Sequence, residues 1–382
     1  MSVARASQTP ALIAPDILAR SHKILFIAHL AIGDFTYLQN DFRAFAQAFP
    51  HLQVDLWVDE VRRTDNATQW PHLKSYVLYD WAEGCGLFGK VYRDTYSPAL
   101  YAQSIQTAQA AHYPIVVSLA TLRPHLYARL ARQIAGTGMA LGMRAKTGLF
   151  QLHYPLAYRS LDATIAPHPI QASPNTHISG VYADWFRQLA GITVTPPERF
   201  PFVDVPAQWT AGALRQLSTW DIDPAVQKLV FINPYAKTKK RCWPLEHVAE
   251  LIRAMQGDRA WRDSAFVVNA VPQELANARA LFDSRALPRT HLFSAEQSFY
   301  ELPALLAQCT LIISVETAVM HLANAVHVPV IALMRQKNPE WVPIDTAHST
   351  VITTTRRRHW VRDISVAQVM QTIEETTPCP TT

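Results

Sequence analysis

From residue 23 onward, short apolar runs alternate with longer amphipathic stretches. KILFIAH (23–29) leads into a helical pattern running to about Phe49, and QVDLWV (53–58), SYVLY (75–79) and PIVVSLA (114–120) are further strand candidates. RPHLYARLARQIA (123–135) has helical spacing and GMALGM (138–143) reads as a strand. THISGVYADWFRQLAG (176–191) is a helix whose apolar positions recur at three and four. ITVTPPERFPFVDVPAQW (192–209) breaks the rhythm with four prolines and no helical period, as a linker does. Then the alternation restarts. KLVFINP (228–234), AFVVNA (265–270), THLF (290–293), TLIIS (310–314), PVIALM (329–334) and STVITT (349–354) are strands, and RDISVAQVMQTIEE (362–375) is a final amphipathic helix. Strands alternating with helices predict parallel sheets covered on both faces. The expected layout is an extension over 1–22, an α/β domain over 23–191, a linker over 192–209 and a second α/β domain over 210–382, with a cleft between the two.

Composition narrows the class. With 49% hydrophobic and 17% charged residues in 382, the chain can bury the cores of two globular domains. A net charge of +5 suits anionic partners such as nucleotides and phosphorylated glycolipids, and it is too small for a nucleic-acid binder without a basic stripe. Cys85, Cys242, Cys309 and Cys379 lie far apart, as isolated reduced thiols of an intracellular protein do. Pro10, Pro15 and Asp16 interrupt the only apolar stretch of the N-terminus, and no apolar run approaches a membrane span. The expected location is cytoplasmic, with membrane contact limited to a peripheral one at the inner face.

In open parallel sheets, ligands bind beyond the carboxyl ends of strands, so three loops carry the candidate chemistry. In AHLAIGDFTYL (28–38), Asp34 opens a helix, either as an N-cap or as a carboxylate able to take a proton from an acceptor hydroxyl. The stretch lacks G-x-G-x-x-G, which weighs against a dinucleotide there. In FINPYAKTKKRCWPLEHVAEL (231–251), Lys237, Lys239, Lys240 and Arg241 precede Pro244 at a helix start. Such a loop is either a solvated basic run or a cradle for a diphosphate leaving group. In SVETAVMHLANAV (314–326), Glu316 and Thr317 are expected in the first turn of a helix. The carboxylate there can cap the helix or accept from sugar hydroxyls, and the helix end favours an anion. His321 can donate to a phosphate oxygen, although Met320, Leu322 and Val326 equally suit a core histidine. Weaker features are Arg144 and Lys146 after a strand, which could meet an anionic acceptor, and Asp221-x-Asp223, which reads as capping. Arg356, Arg357, Arg358 and Arg362 read as a solvated run that could touch lipid phosphate. His51, His72, His153 and His168 show no metal-ligand spacing.

Together the three loops resemble the heptosyltransferase family from about Lys23 to the last helix. IGD (32–34) is similar to its opening motif, KKRCWPLEHVAELI (239–252) to its basic-x-Trp-Pro segment, and VETAVMHLANAVHVPVIALM (315–334) to its Asp-Thr-Gly-x-x-His-x-Ala block. The resemblance implies a GT-B fold, two Rossmann-like doubly wound domains facing across a cleft. It also implies an inverting, metal-independent glycosyltransferase that needs no cofactor beyond a nucleotide-sugar co-substrate, ADP-linked heptose. The acceptor implied is an anionic glycolipid or glycan of the lipopolysaccharide core. By the same resemblance Asp34 is the catalytic base, Arg241 stands where the family has lysine, and Lys239, Lys240, Glu316, Thr317, Ala318 and His321 bind the donor; Lys237 joins them through the charge of its loop. Arg144 and Lys146 would face the acceptor. The chain departs from the family with Glu at 316, Ala at 318, and no Pro after IGD. Glu274 is the nearest, shifted counterpart of a family acid. Another nucleotide-sugar, a protein or polysaccharide acceptor, a nucleotide-sugar epimerase, and a binding protein without catalysis are alternative readings.

Overall fold

A computed structural model describes residues 10–29, 31–59, 62–145, 154–167 and 176–376. The chain divides into two units, Met1–Arg199 and Phe200–Thr382. The first holds β1 (Lys23–Ala28), β2 (Gln53–Val58), β3 (Val91–Tyr92), β4 (Ile115–Ser118), β5 (Met139–Met143) and β6 (Ala163–Ile165). They form one sheet in the order β3-β2-β1-β4-β5-β6, with every described pairing parallel. Apolar residues dominate β1 because both of its faces are covered: Ile24, Leu25, Phe26, Ile27 and Ala28 are wholly buried.

The second unit holds β7 (Leu229–Asn233), β8 (Ala265–Asn269), β9 (Thr290–Phe293), β10 (Leu311–Val315), β11 (Val330–Met334) and β12 (Ser349–Thr353), in the order β12-β11-β10-β7-β8-β9. Counted within its own unit, this is the order of the first sheet again. In each sheet the strand order reverses beside the first strand, between β1 and β4 and between β7 and β10. Helices leave opposite faces at such a point, and the crevice between their N-termini is where doubly wound sheets bind ligands.

Two expectations change. SYVLY is not a strand; Val77–Gly84 is a helix with Leu78, Tyr79, Trp81 and Ala82 buried. A short apolar run fits either period, and here the burial of 78, 81 and 82 has helical spacing. The edge strands are instead the short β3 and β6. The expected N-terminal extension is also partly structural, since the Leu12 and Ile13 amides donate to the Gln188 and Leu189 carbonyls and Ile13 and Leu18 are buried. Among the described residues no helix is long and apolar enough to cross a membrane.

Helix Ile32–Ala48 follows β1 and packs Phe42 and Phe45 edge-on against Phe26, with ring centres 5.1 and 5.4 Å apart. The same helix buries Asp41, whose Oδ1 has no partner among the described residues. Burial holds its pKa well above the carboxylate range, although the Arg199 guanidinium opposes this. The folded unit therefore binds a proton that the unfolded chain has released, and stability falls as pH rises above the unfolded carboxylate pKa. Asp41→Asn is expected to remove that dependence. Relative to the parent it should gain stability from about pH 4 upward, by at most ~1.4 kcal/mol per pH unit, and show no gain in more acid solution. Urea melts at several pH values check this; parallel profiles for the two proteins would refute it.

Candidate active site

In the second unit the loops after β7, β10 and β11 converge at the reversal point. Asn233, the last residue of β7, is buried and ties three strand ends together. Its Nδ2 donates to Ser314 Oγ at 3.1 Å and to Thr317 Oγ1 at 2.9 Å, while its Oδ1 accepts from Asn269 Nδ2 at 2.9 Å. The helix starts later than expected. It spans Ala318–Ala325 with Thr317 as N-cap, and Glu316 lies outside it. Glu316 does not cap that helix. Its Oε1 accepts from Arg241 at 2.7 Å and from Asn338 Nδ2 at 2.9 Å, and its Oε2 from Arg335 Nε at 3.3 Å. The side chain is 6% exposed, so two guanidiniums and an amide take up its hydrogen-bonding capacity in a place water hardly reaches.

The basic loop supplies Arg241 to this cluster. Lys239–Arg241 forms one 3₁₀ turn, and the Trp243 amide closes the loop by donating to the Pro234 carbonyl at 2.9 Å. Lys237, Lys239 and Lys240 are exposed. Lys240, Arg335 and Lys337 stand 5.4, 5.1 and 5.9 Å from the centre of the Trp360 ring. Two buried polar atoms of the loop, Tyr235 Oη and Arg241 Nε, have no partner among the described residues. Buried polar groups are normally paired, so both atoms have capacity left for a polar partner. Burial, with the Glu274 carboxylate adding to it, pushes the Tyr235 hydroxyl up to about 12, so it stays a neutral donor. Glu274 itself ends a 3₁₀ turn after β8 and accepts from Asn277. His321 is buried between Met320 and Leu322, its ring 5.8 Å from that of Trp341.

In the first unit Asp34 is the third residue of its helix rather than the N-cap, which is Ala31. Its carboxylate nevertheless serves the helix end. Oδ2 accepts from the Ala31 amide at 3.0 Å, and Oδ1 accepts from the Tyr182 hydroxyl at 2.6 Å. Burial raises the Asp34 pKa, and the Tyr182 and Ala31 hydrogen bonds hold the rise back. Burial and the Asp34 charge together keep Tyr182 protonated. Beyond β2, buried Asp59 accepts from Arg63 at 2.5 and 2.7 Å and also from the Tyr127 hydroxyl, and that guanidinium lies 3.7 Å above the Tyr101 ring. Arg144 is exposed directly after β5; Lys146, His153 and His168 lie outside the described residues. Asp223 caps a turn by accepting from the Ala225 amide, as expected of Asp221-x-Asp223. Among the described residues no three His, Cys, Asp or Glu side chains gather as a metal site.

Residues 197–365 match the model of glycosyltransferase family 9 (heptosyltransferase). The second unit carries a glycosyltransferase family 9 domain. This upholds the resemblance that its loop motifs carry. Solved structures share the fold over most of the chain. A glycosyl transferase family 9 protein from Veillonella parvula superposes with a TM-score of 0.70 at 15% identity, covering 93% of this chain and 96% of that one. E. coli ADP-heptose lps heptosyltransferase II gives 0.65 at 16% identity over 92% and 98%. E. coli heptosyltransferase WaaC with ADP gives 0.60 at 17% identity over 92% and 97%. No curated protein matches in sequence. At these identities the likeness establishes the GT-B class of two Rossmann-like units, and the family 9 match over residues 197–365 supports a transferase.

Asn233, Arg335, Asn338, Trp360 and Tyr182 also belong to these clusters, although no local motif marks most of them. For Arg335 a signal existed, since it directly follows β11 and the carboxyl-end rule applies to that loop as well. Within the family 9 domain, removing Glu316 leaves Arg241 and Arg335 without their shared counter-charge. Glu316→Ala is expected to destabilise the second unit by about 3 kcal/mol, and Arg335→Ala by less, because Arg241 and Asn338 still hold the carboxylate. Chemical denaturation of both variants checks the order, and equal losses would contradict it.

Proposed function

We propose that this chain is an inverting glycosyltransferase whose second unit holds a nucleotide-diphospho-sugar, with ADP-heptose the foremost donor, and whose first unit takes a hydroxyl of a lipopolysaccharide-core or related glycan. One observation carries the donor assignment: beside the reversal point of the family 9 domain, Arg241 and Arg335 converge on Glu316, and Lys240 and Arg335 on the Trp360 ring. Cations at that point stabilise charge developing on a departing diphosphate, and the amides opening helix Ala318–Ala325 supply further donors. Lys237, Lys239, Thr317, Ala318 and His321 belong to the same proposed donor site. The ADP and ADP-2-deoxy-2-fluoro heptose named with the E. coli WaaC structures are consistent with this donor class.

In the proposed reaction the acceptor oxygen forms a bond to the anomeric carbon while the bond from that carbon to the diphosphate oxygen breaks. The electron pair leaves with the diphosphate, and the acceptor proton passes to Asp34. A carboxylate whose pKa is raised by burial is a stronger base than a solvated one, as this role requires. The charge is carried by protein cations, so we propose that no metal ion or further cofactor takes part. Arg144 stands as a proposed contact to an anionic acceptor, and the proposed location is cytoplasmic with peripheral contact to the inner membrane.

Thermal melts with ADP-, UDP- and GDP-linked sugars test the donor, since a ligand that binds only the folded state raises Tm. Stabilisation by ADP-linked sugars is expected; a response confined to the UDP or GDP compounds would overturn ADP-heptose. Asp34→Asn is expected to lower transfer by about 10²- to 10⁴-fold while leaving donor-induced stabilisation in place. Near-parental turnover would remove Asp34 as the base. In the pH profile of kcat/KM, activity should appear as pH rises through the raised Asp34 pKa. Tyr182→Phe should move that limb to higher pH, because it removes a hydrogen bond favouring the carboxylate.

A further inference from the structure

The first unit shows apolar side chains to solvent on one side of its carboxyl edge. Leu122 and Leu126, one turn apart at the start of helix Pro124–Ala135, are 61% and 46% exposed, and Leu156 is 60% exposed. Leu156 belongs to helix Tyr154–Tyr158, which packs against helix Pro124–Ala135. The Tyr158 hydroxyl accepts from the Ala145 amide at 3.3 Å, which fixes that short helix to the end of β5 and to Arg144. Exposed Arg123, Arg129, Arg144 and Arg159 share these elements. Arg123 holds the left-handed conformation, φ 52°, immediately before Pro124, so the turn that carries Leu122 is kept at a conformational cost.

The charge of this region is one-sided. Residues 95–161 contain six Lys or Arg and no Asp or Glu. The nearby acids do not offset it. Asp59, which faces Tyr127 of this helix, is buried and held by Arg63. Asp162 is bound to Arg132 and to the Ala140 amide, at the opposite, amino edge of the sheet. Exposed leucines interleaved with arginines and free of acids are the composition of a surface that sinks its apolar side chains among headgroups while its cations meet lipid phosphate. A protein partner would require acidic complementarity of its own to this face, whereas an anionic bilayer supplies it everywhere.

We propose that Leu122, Leu126 and Leu156, with Arg123, Arg129 and Arg159, form a docking face for an anionic lipid bilayer. It specifies the peripheral contact included in the proposed function, and it differs from the Arg356–Arg358 run expected from sequence, which is exposed but not accompanied by exposed leucines. The face stands on its own observations whatever sugar is transferred.

Sedimentation of the full chain with vesicles tests it, with no nucleotide present, so that failure here is separable from failure of the transferase reading. Binding is expected to vesicles of phosphatidylcholine mixed with phosphatidylglycerol, and to be weaker both on phosphatidylcholine alone and in added salt. The triple change Leu122→Gln, Leu126→Gln, Leu156→Gln should weaken binding about tenfold or more with Tm unchanged, and Arg123→Gln alone about fivefold. Absence of binding to the mixed vesicles, or a triple variant that binds like the parent, would overturn the face. So would gel filtration showing a parental dimer that the triple variant abolishes, which would make the leucines a contact between copies of this chain.

Discussion

A carboxylate with little access to water must be paired by the protein, and in the second unit that carboxylate is Glu316. Its 6% exposure makes an unpaired charge prohibitive, and Arg241, Arg335 and Asn338 supply the partners. The requirement reaches three loops at once, because the partners come from the segments after β7 and β11 while Glu316 follows β10. The cations that a diphosphate would need are thereby held near the helix opening at Ala318, and Lys240 and Lys337 are gathered with Arg335 around Trp360. The longer Glu, where the resembled family has Asp, is matched here by an arginine directly after β11. The carboxylate is consequently an organiser of cations rather than a free acceptor for sugar hydroxyls.

The two units solve the same geometric problem with opposite charge. Each sheet reverses its order beside its first strand, and each places a polar cluster there. In the second unit Asn233 locks the strand ends and the surroundings are cationic. In the first, Asp34 closes the helix end, Tyr182 holds it, and its basicity comes from burial. A hydrogen-bonded carboxylate at the N-terminal turn of a helix would ordinarily be a weak base, as the helix end and the Tyr182 donor both favour its charged form. Desolvation exceeds these effects at Asp34, so one side chain serves both as a helix cap and as a candidate base. The alternatives posed for it, capping or chemistry, are therefore not exclusive.

How much could be read in advance varied with the range of the interaction. The strands β1, β2, β4, β5, β7, β8, β10 and β11 were legible because strands buried on both faces must be apolar throughout, and that pattern is local; the half-buried edge strands β9 and β12 were legible as short runs of β-branched and apolar residues. SYVLY failed because a five-residue apolar run carries no period long enough to separate strand from helix, and the packing of Trp81 decided it. β3 and β6 were missed because two- and three-residue edge strands have little apolar signature. At the candidate site, Asp34, Lys240, Arg241 and Glu316 were marked as candidates by their positions after strands. Their partners Tyr182, Arg335 and Asn338 were not, being 148, 19 and 22 residues away from the groups they hold.

By itself, then, the sequence determined the α/β class and which loops follow strands, because hydrophobic period and turn chemistry act over a few residues. It also determined the one-sided charge of residues 95–161. Only the tertiary structure decided that Glu316 faces guanidiniums instead of a helix end, that burial raises Asp34, and that three leucines remain in solvent beside arginines. Each of those outcomes depends on solvent access and on partners distant in the chain, and both are properties of the folded packing rather than of any local stretch.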